Sequence, residues 1–169
     1  VEIGVESGDP DILARLHKGV TVARVRAARR AAAEAGLPFE ALMILGHPGE
    51  TLASARRTLD LAVELNADQT VFGIMVPFPG TEVAAMAARG EGGYRLIARD
   101  WNDYGKQHGH AVEMANLSRR RLEALQATGY LRVLAGNRRF ADLARFAWRY
   151  RREALALATR WVTGGRRTG

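Results

Sequence analysis

Cysteine is absent from these 169 residues, which excludes disulfides, thiolate metal sites and a cysteine nucleophile and accords with a reducing, cytoplasmic setting. Long apolar runs are missing as well. No uninterrupted segment approaches the roughly 20 residues that span a bilayer. The opening Val1-Glu-Ile-Gly-Val5 has neither the basic region of a targeting peptide nor an initiator Met, so the chain is expected to continue upstream of Val1. No Ser/His/Asp set, P-loop or G-x-G-x-x-G spacing occurs, and Gly46-His-Pro-Gly49 does not supply the last of these. Acids are scarce at one end: residues 119–169 hold 13 arginines against three acids, a net of +10, whereas residues 1–118 carry −3. That shift sets an expected boundary near Asn116 to Ser118, with one domain over 1–117 and a basic extension over 118–169.

What is present is enough apolar residue, 47%, to bury a core. The organising stretch is Ala41-Leu-Met-Ile-Leu-Gly-His-Pro-Gly-Glu-Thr51. An apolar run of strand length meets Gly46, Pro48 and Gly49 and passes into a helical pattern from Leu52, so it reads as one strand, turn and helix start. Glycines at such a turn let backbone N–H groups approach a ligand, and the helix N-terminus favours polar or negative groups.

The same construction recurs on both sides of that stretch. Val1 to Val5 is β-rich and ends in Glu6-Ser7-Gly8, after which Asp9-Pro10 opens a short helix to about His17. A longer helix starts at Thr21 and is stopped by Gly36. Strands are expected at Phe39 to Leu45 and Gln69 to Val76, the last broken by Pro77-Phe-Pro-Gly80, with a helix from Thr81. The order is therefore β-α-β-α-β-α. Near-continuous apolar strands predict a parallel sheet buried on both faces. In such folds ligands sit at the strand C-termini, which predicts a shared rim for Glu6-Ser7, Gly46 to Glu50 and Pro77 to Gly80. Three strands cannot close a barrel, and their sheet would have two raw edges.

Gly4-Val-Glu-Ser-Gly8, Lys18-Gly-Val-Thr21, Ile44-Leu-Gly-His-Pro-Gly-Glu-Thr51, Pro77-Phe-Pro-Gly-Thr-Glu82 and Asp100-Trp101 with Tyr104 together resemble the radical S-adenosylmethionine enzymes. The likeness is to the branch of methylthiotransferases and cobalamin-dependent radical methylases. It implies an α/β fold, the C-terminal half of a partial (βα)6 TIM-type barrel with parallel strands four to six, followed by an α-helical extension. Position by position, the resemblance implies that Glu6 and Ser7 bind the ribose hydroxyls of S-adenosylmethionine and that Lys18 holds its carboxylate. Ile44 and Gly46 would pack on the adenine, although Leu42 replaces the family's leading glycine. Val76 and Pro77 would lie at the adenine edge. The implied cofactors are S-adenosylmethionine, a 4Fe-4S cluster and, in part of the branch, cobalamin. The implied partners are a small-molecule or lipid-like substrate, the missing N-terminal half and a flavodoxin- or ferredoxin-type electron donor. In such enzymes a cluster electron cleaves the cofactor to a 5′-deoxyadenosyl radical. The cluster is held by three cysteines in a CxxxCxxC loop, and this chain has none. The isolated chain is accordingly expected to be inactive, with no catalytic residue and no metal ligand of its own.

Other chemistry is thin. His108-Gly-His110 lacks further ligands at zinc spacing, and His47 sits in the central turn, where it either faces substrate or fills the loop. Beyond Ser118 one helix runs to about Leu134, with Gly136-Asn137 as the break. A second, from Arg138 to Val162, sets Phe140, Leu143, Ala147, Tyr150, Ala154, Leu157 and Trp161 against Asp142, Arg145, Arg149, Arg152 and Arg160. Its apolar side is expected to pack on the rest of the protein, with an anionic membrane surface as the alternative and nucleic acid disfavoured. The rival to the enzyme reading is a noncatalytic basic helical module binding a membrane or nucleic acid.

Overall fold

The computed structural model describes residues 1–105 and 111–151. The first four helices start where the sequence supplies a cap. Asp9 accepts from the N–H groups of Asp11 (2.9 Å) and Ile12 (3.1 Å) and opens α1, Pro10–Arg15. Thr21 opens α2, Val22–Glu34; Thr51 and Ser54 form a reciprocal capping box for α3, Leu52–Leu65; Thr81 opens α4, Glu82–Arg89. α3 ends on Asn66 in the left-handed region (φ 42°), a conformation asparagine tolerates. The strands are β1, Glu2–Glu6, β2, Glu40–Leu45, and β3, Gln69–Ile74, adjacent and parallel in the order β1-β2-β3. A second, antiparallel ribbon pairs β4, Tyr94–Leu96, with β5, Val112–Met114. This ribbon has no counterpart in the sequence reading, since three residues are too few to show a period.

The parallel order matches expectation, but cover on both faces does not. Burial alternates along β2: Ala41, Met43 and Leu45 are buried, while Glu40, Leu42 and Ile44 are only half so. The buried set shares one core with Val25 and Ala32 of α2, Ala55, Leu59 and Ala62 of α3, and Phe72 and Ile74 of β3. Register places Gly4, Leu42 and Val71 side by side, and Ile44 beside Gly73, on the opposite face. Among the described residues no helical layer covers that face. An apolar run shows that a strand is buried, not whether its own stretch of chain does the burying.

Helix α5, Arg119–Gly136, adds Leu122, Leu125 and Val133 to the same core. It also closes the β3 edge. Tyr130 Oη accepts from Phe72 N–H at 3.2 Å, and Gln126 Nε2 donates to Phe72 C=O at 2.5 Å, satisfying groups that an edge strand otherwise leaves open. Gly129 makes this approach possible, because a Cβ there would lie 2.9 Å from the Phe72 ring. Val1–Val133 forms one compact unit and the chain from Leu134 onward a second, so the division falls inside α5. The second unit contains α6, Phe140–Arg149; the expected continuation through Ala154, Leu157 and Trp161 lies outside the described residues. No helix among the described residues is long and apolar enough to cross a membrane.

Candidate functional site

Because β1, β2 and β3 are parallel neighbours, the segments that follow them leave the sheet on one side. Glu6, the turn Gly46 to Glu50 and the segment Met75 to Gly80 therefore share a rim, as the sequence reading required.

At the first strand end a bulge shifts register between Gly4 and Glu6, and Glu6 adopts φ +65°. The Ser7 N–H closes the turn on Val5 C=O at 2.8 Å. A non-glycine residue there stores about 1–2 kcal/mol of strain, a cost concentrated at functional positions. The Glu6 carboxylate is paired with Lys18 Nζ, and a Cβ on Gly4 would lie 3.0 Å from both groups. Only glycine lets the pair lie this close over the strand. Ser7 is placed differently. Its hydroxyl is fully buried, 3.1 Å from Thr58 Oγ1 and accepting from Asp9 N–H at 3.1 Å, so it ties β1 to α3 and does not join Glu6. Asp9 binds Arg57 as well as capping α1, and burial opposing its ionisation is outweighed by that guanidinium and by the Ile12 and Asp11 amides, which hold its carboxyl below the usual range.

The second strand end is a closed polar knot. Gly46 takes φ +89°; its N–H donates to Glu50 Oε2, and its C=O accepts from Tyr94 Oη at 2.6 Å. Gly49 N–H donates to Gly92 C=O at 3.0 Å, so Tyr94 of the ribbon and Gly92 just before it both hold the turn. Glu50 is fully buried and its Oε1 has no partner. Desolvation pushes its carboxyl up to about 7, against the Gly46 and His47 amides, with the Asp9 charge adding to the rise. Desolvation and the Glu50 charge also raise the Tyr94 phenol. His47 is buried with neither ring nitrogen bonded, although the Glu6 backbone lies near enough to favour protonation. Desolvation dominates and lowers its pKa, so the imidazole is held neutral. His47 is buried within the turn and within electrostatic reach of Glu6 and Lys18.

The remaining expected residues lie apart in function. Ile44 is half-buried on the uncovered face beside Gly73. Val76 is half-buried, its C=O accepting from Phe78 N–H at 3.0 Å, and Pro77 is buried. Phe78 continues outward, its ring 6.3 Å from Tyr104, which lies 5.4 Å from Trp101. The structure thus brings Glu6 and Lys18 together, while both polar groups of Gly46 are already used. Sequence reasoning missed Tyr94, which reaches the turn from 48 residues away, and placed Glu50 on the rim without its buried bond to Gly46. His108 and His110 lie outside the described residues. Among the described residues no group of three or more His, Cys, Asp or Glu is placed to hold a metal ion.

Sequence comparison finds relatives over part of the chain. An uncharacterized methyltransferase of Pyrococcus horikoshii is 32% identical over 104 residues, 62% of this chain and 22% of that protein. A tRNA-2-methylthio-N(6)-dimethylallyladenosine synthase of Chloroflexus aurantiacus is 34% identical over 86 residues, 50% of this chain and 18% of that enzyme. Another, from Baumannia cicadellinicola, is 35% identical over 88 residues, 51% and 20% respectively. The matched stretches span about a fifth of the relatives' own length. No family model matches this chain.

Proposed function

We propose that this chain is part of a radical S-adenosylmethionine enzyme acting in methyl or methylthio transfer, and that it contributes the cofactor-binding rim. The observation that carries the reading is the convergence of Glu6, the Gly46 turn and Val76-Pro77 at one end of a parallel sheet with an uncovered face. The partial relatives, named for methyl and methylthio transfer, support the reaction class.

The residues present fit S-adenosylmethionine. Glu6 supplies an acceptor suited to a ribose diol, and Lys18, 47% exposed, a cation for the amino-acid carboxylate. Ile44 and Val76 offer apolar contact for a purine face, and the missing side chain at Gly4 lets the ion pair lie close over the strand. When bound, S-adenosylmethionine supplies one-electron chemistry at its sulfonium. Glu6 and Lys18 orient the ligand by charge and hydrogen bonding, while the buried Glu50–Gly46–Tyr94 knot fixes the backbone against which it rests. The fit does not extend to a 4Fe-4S cluster: the chain has no cysteine, so cluster ligands would come from residues outside it. The substrate would be a small or lipid-like molecule presented over the same rim.

Titration of the isotopically labelled chain with S-adenosylmethionine, followed by amide NMR shifts, tests the proposal. Shifts should cluster at Glu6, Ile44 to Gly46 and Val76 and vanish in Glu6→Ala. Shifts elsewhere, or none at millimolar ligand, would overturn it.

A further inference from the structure

The described part of α6 leaves its most apolar side in solvent. Phe140 is 63% exposed and Trp148 70%. At 100° per residue Ala144 falls between them and Ala147 lies just beside Phe140, and both alanines are exposed too. Leu143 and Phe146, on the adjoining side, are partly buried, with Phe146 against Tyr150 at 4.7 Å. The helix therefore has a packed apolar flank and a second, unpacked one. A soluble helix rarely displays two large aromatic rings on one strip without a partner for them.

The partner's chemistry follows from what flanks the strip. Past Trp148 around the helix come Arg145, 78% exposed and paired with Asp142, about 60° away, and Arg149, also exposed, about 100° away. Arg151 folds over Trp148, its guanidinium carbon 4.1 Å from the ring centroid. Aromatic rings with arginines at their margin match a bilayer interface, where the ring enters the acyl boundary and the guanidinium meets lipid phosphate. Residues 119–169 carry +10, which disfavours a second copy of the same segment and favours a negative surface. Single-stranded nucleic acid would prefer rings alternating with cations along a groove; here Phe140, Ala144, Ala147 and Trp148 form one unbroken apolar strip. We propose that the exposed face of α6 docks on an anionic lipid bilayer, as a peripheral contact lying in the interface.

Co-sedimentation of the full chain with lipid vesicles decides the matter. Binding is expected to vesicles of equal parts phosphatidylcholine and phosphatidylglycerol and not to phosphatidylcholine alone, weakening as salt rises. Trp148→Glu and Phe140→Glu should each lower partitioning by about tenfold or more, and Trp148→Phe should retain most of it. Both rings are exposed, so circular dichroism should show helix content unchanged in these variants. Retention in the supernatant with anionic vesicles, equal binding to neutral vesicles, or binding untouched by either glutamate would overturn the proposal. So would capture by polyuridylate in the absence of vesicle binding, which would assign the face to RNA.

Discussion

Glu50 and Tyr94 hold the two backbone groups of one residue: the carboxylate takes the N–H of Gly46 and the phenol donates to its C=O at 2.6 Å. The turn at the end of β2 is thereby locked from inside the molecule, and a fully buried acid is retained to do it. The consequences are measurable without knowledge of the substrate.

Stability should depend on Glu50 ionisation. Its carboxyl titrates at about 7 in the folded chain against an ordinary 4.5, so between these values the native state binds the extra proton. Unfolding becomes easier as pH rises through that window, by roughly 3 kcal/mol in all from this group. Glu50→Gln keeps an acceptor for Gly46 and abolishes the charge. Urea midpoints measured from acid to alkaline pH should fall for the parent chain and stay flatter for this variant.

His47 acts with the opposite sign. Burial holds its pKa below 6.5, so the unfolded chain takes up a proton that the native state refuses, and stability is lost as pH falls below that value. In the Glu50→Gln background this limb should stand alone down to the carboxylate range, where Asp9, held below 3.8, adds its own loss, and adding His47→Gln should remove the upper part. An unchanged limb after the second substitution would assign it to other groups.

Tyr94→Phe strips the Gly46 carbonyl of its donor in a buried setting, and the cost should be about 1–3 kcal/mol. Chemical denaturation gives the figure. Hydrogen exchange should show the amide of Gly49, bonded to Gly92 C=O, opening more readily because the turn loses one of its two holds.

Two glycines should respond differently to alanine. At Gly8 a Cβ would lie 2.3 Å from the Arg57 carbonyl oxygen, a clash with backbone that costs about 3 kcal/mol. At Gly36 nothing lies within 4 Å and only φ +66° is at stake, which costs about 1 kcal/mol. Thermal denaturation of the two variants should rank them in that order.

Removing both α5 contacts to β3, as Tyr130→Phe with Gln126→Leu, leaves Phe72 N–H and C=O without their α5 partners. Stability should drop by about 2 kcal/mol, and light scattering should show association through the opened edge.

Most of the β-α-β-α-β-α order could be read from the chain because it is set by short-range physics. Asp9, Thr21, Thr51 and Thr81 cap helices within three residues of themselves, and the apolar runs at 41–45 and 70–74 are strands whatever packs on them. The rim followed from the strands being parallel. What the chain concealed were partnerships between distant segments. Ser7 looked like a rim hydroxyl but turns toward Thr58, 51 residues on; Tyr94 gave no signal of reaching Gly46; and one face of the sheet lacks the cover its composition promised. Local geometry is encoded where it occurs, through dihedral preference and capping. The side on which a hydroxyl, a phenol or an apolar face finds its partner depends on which remote elements come to rest against it, and only the tertiary fold decides that.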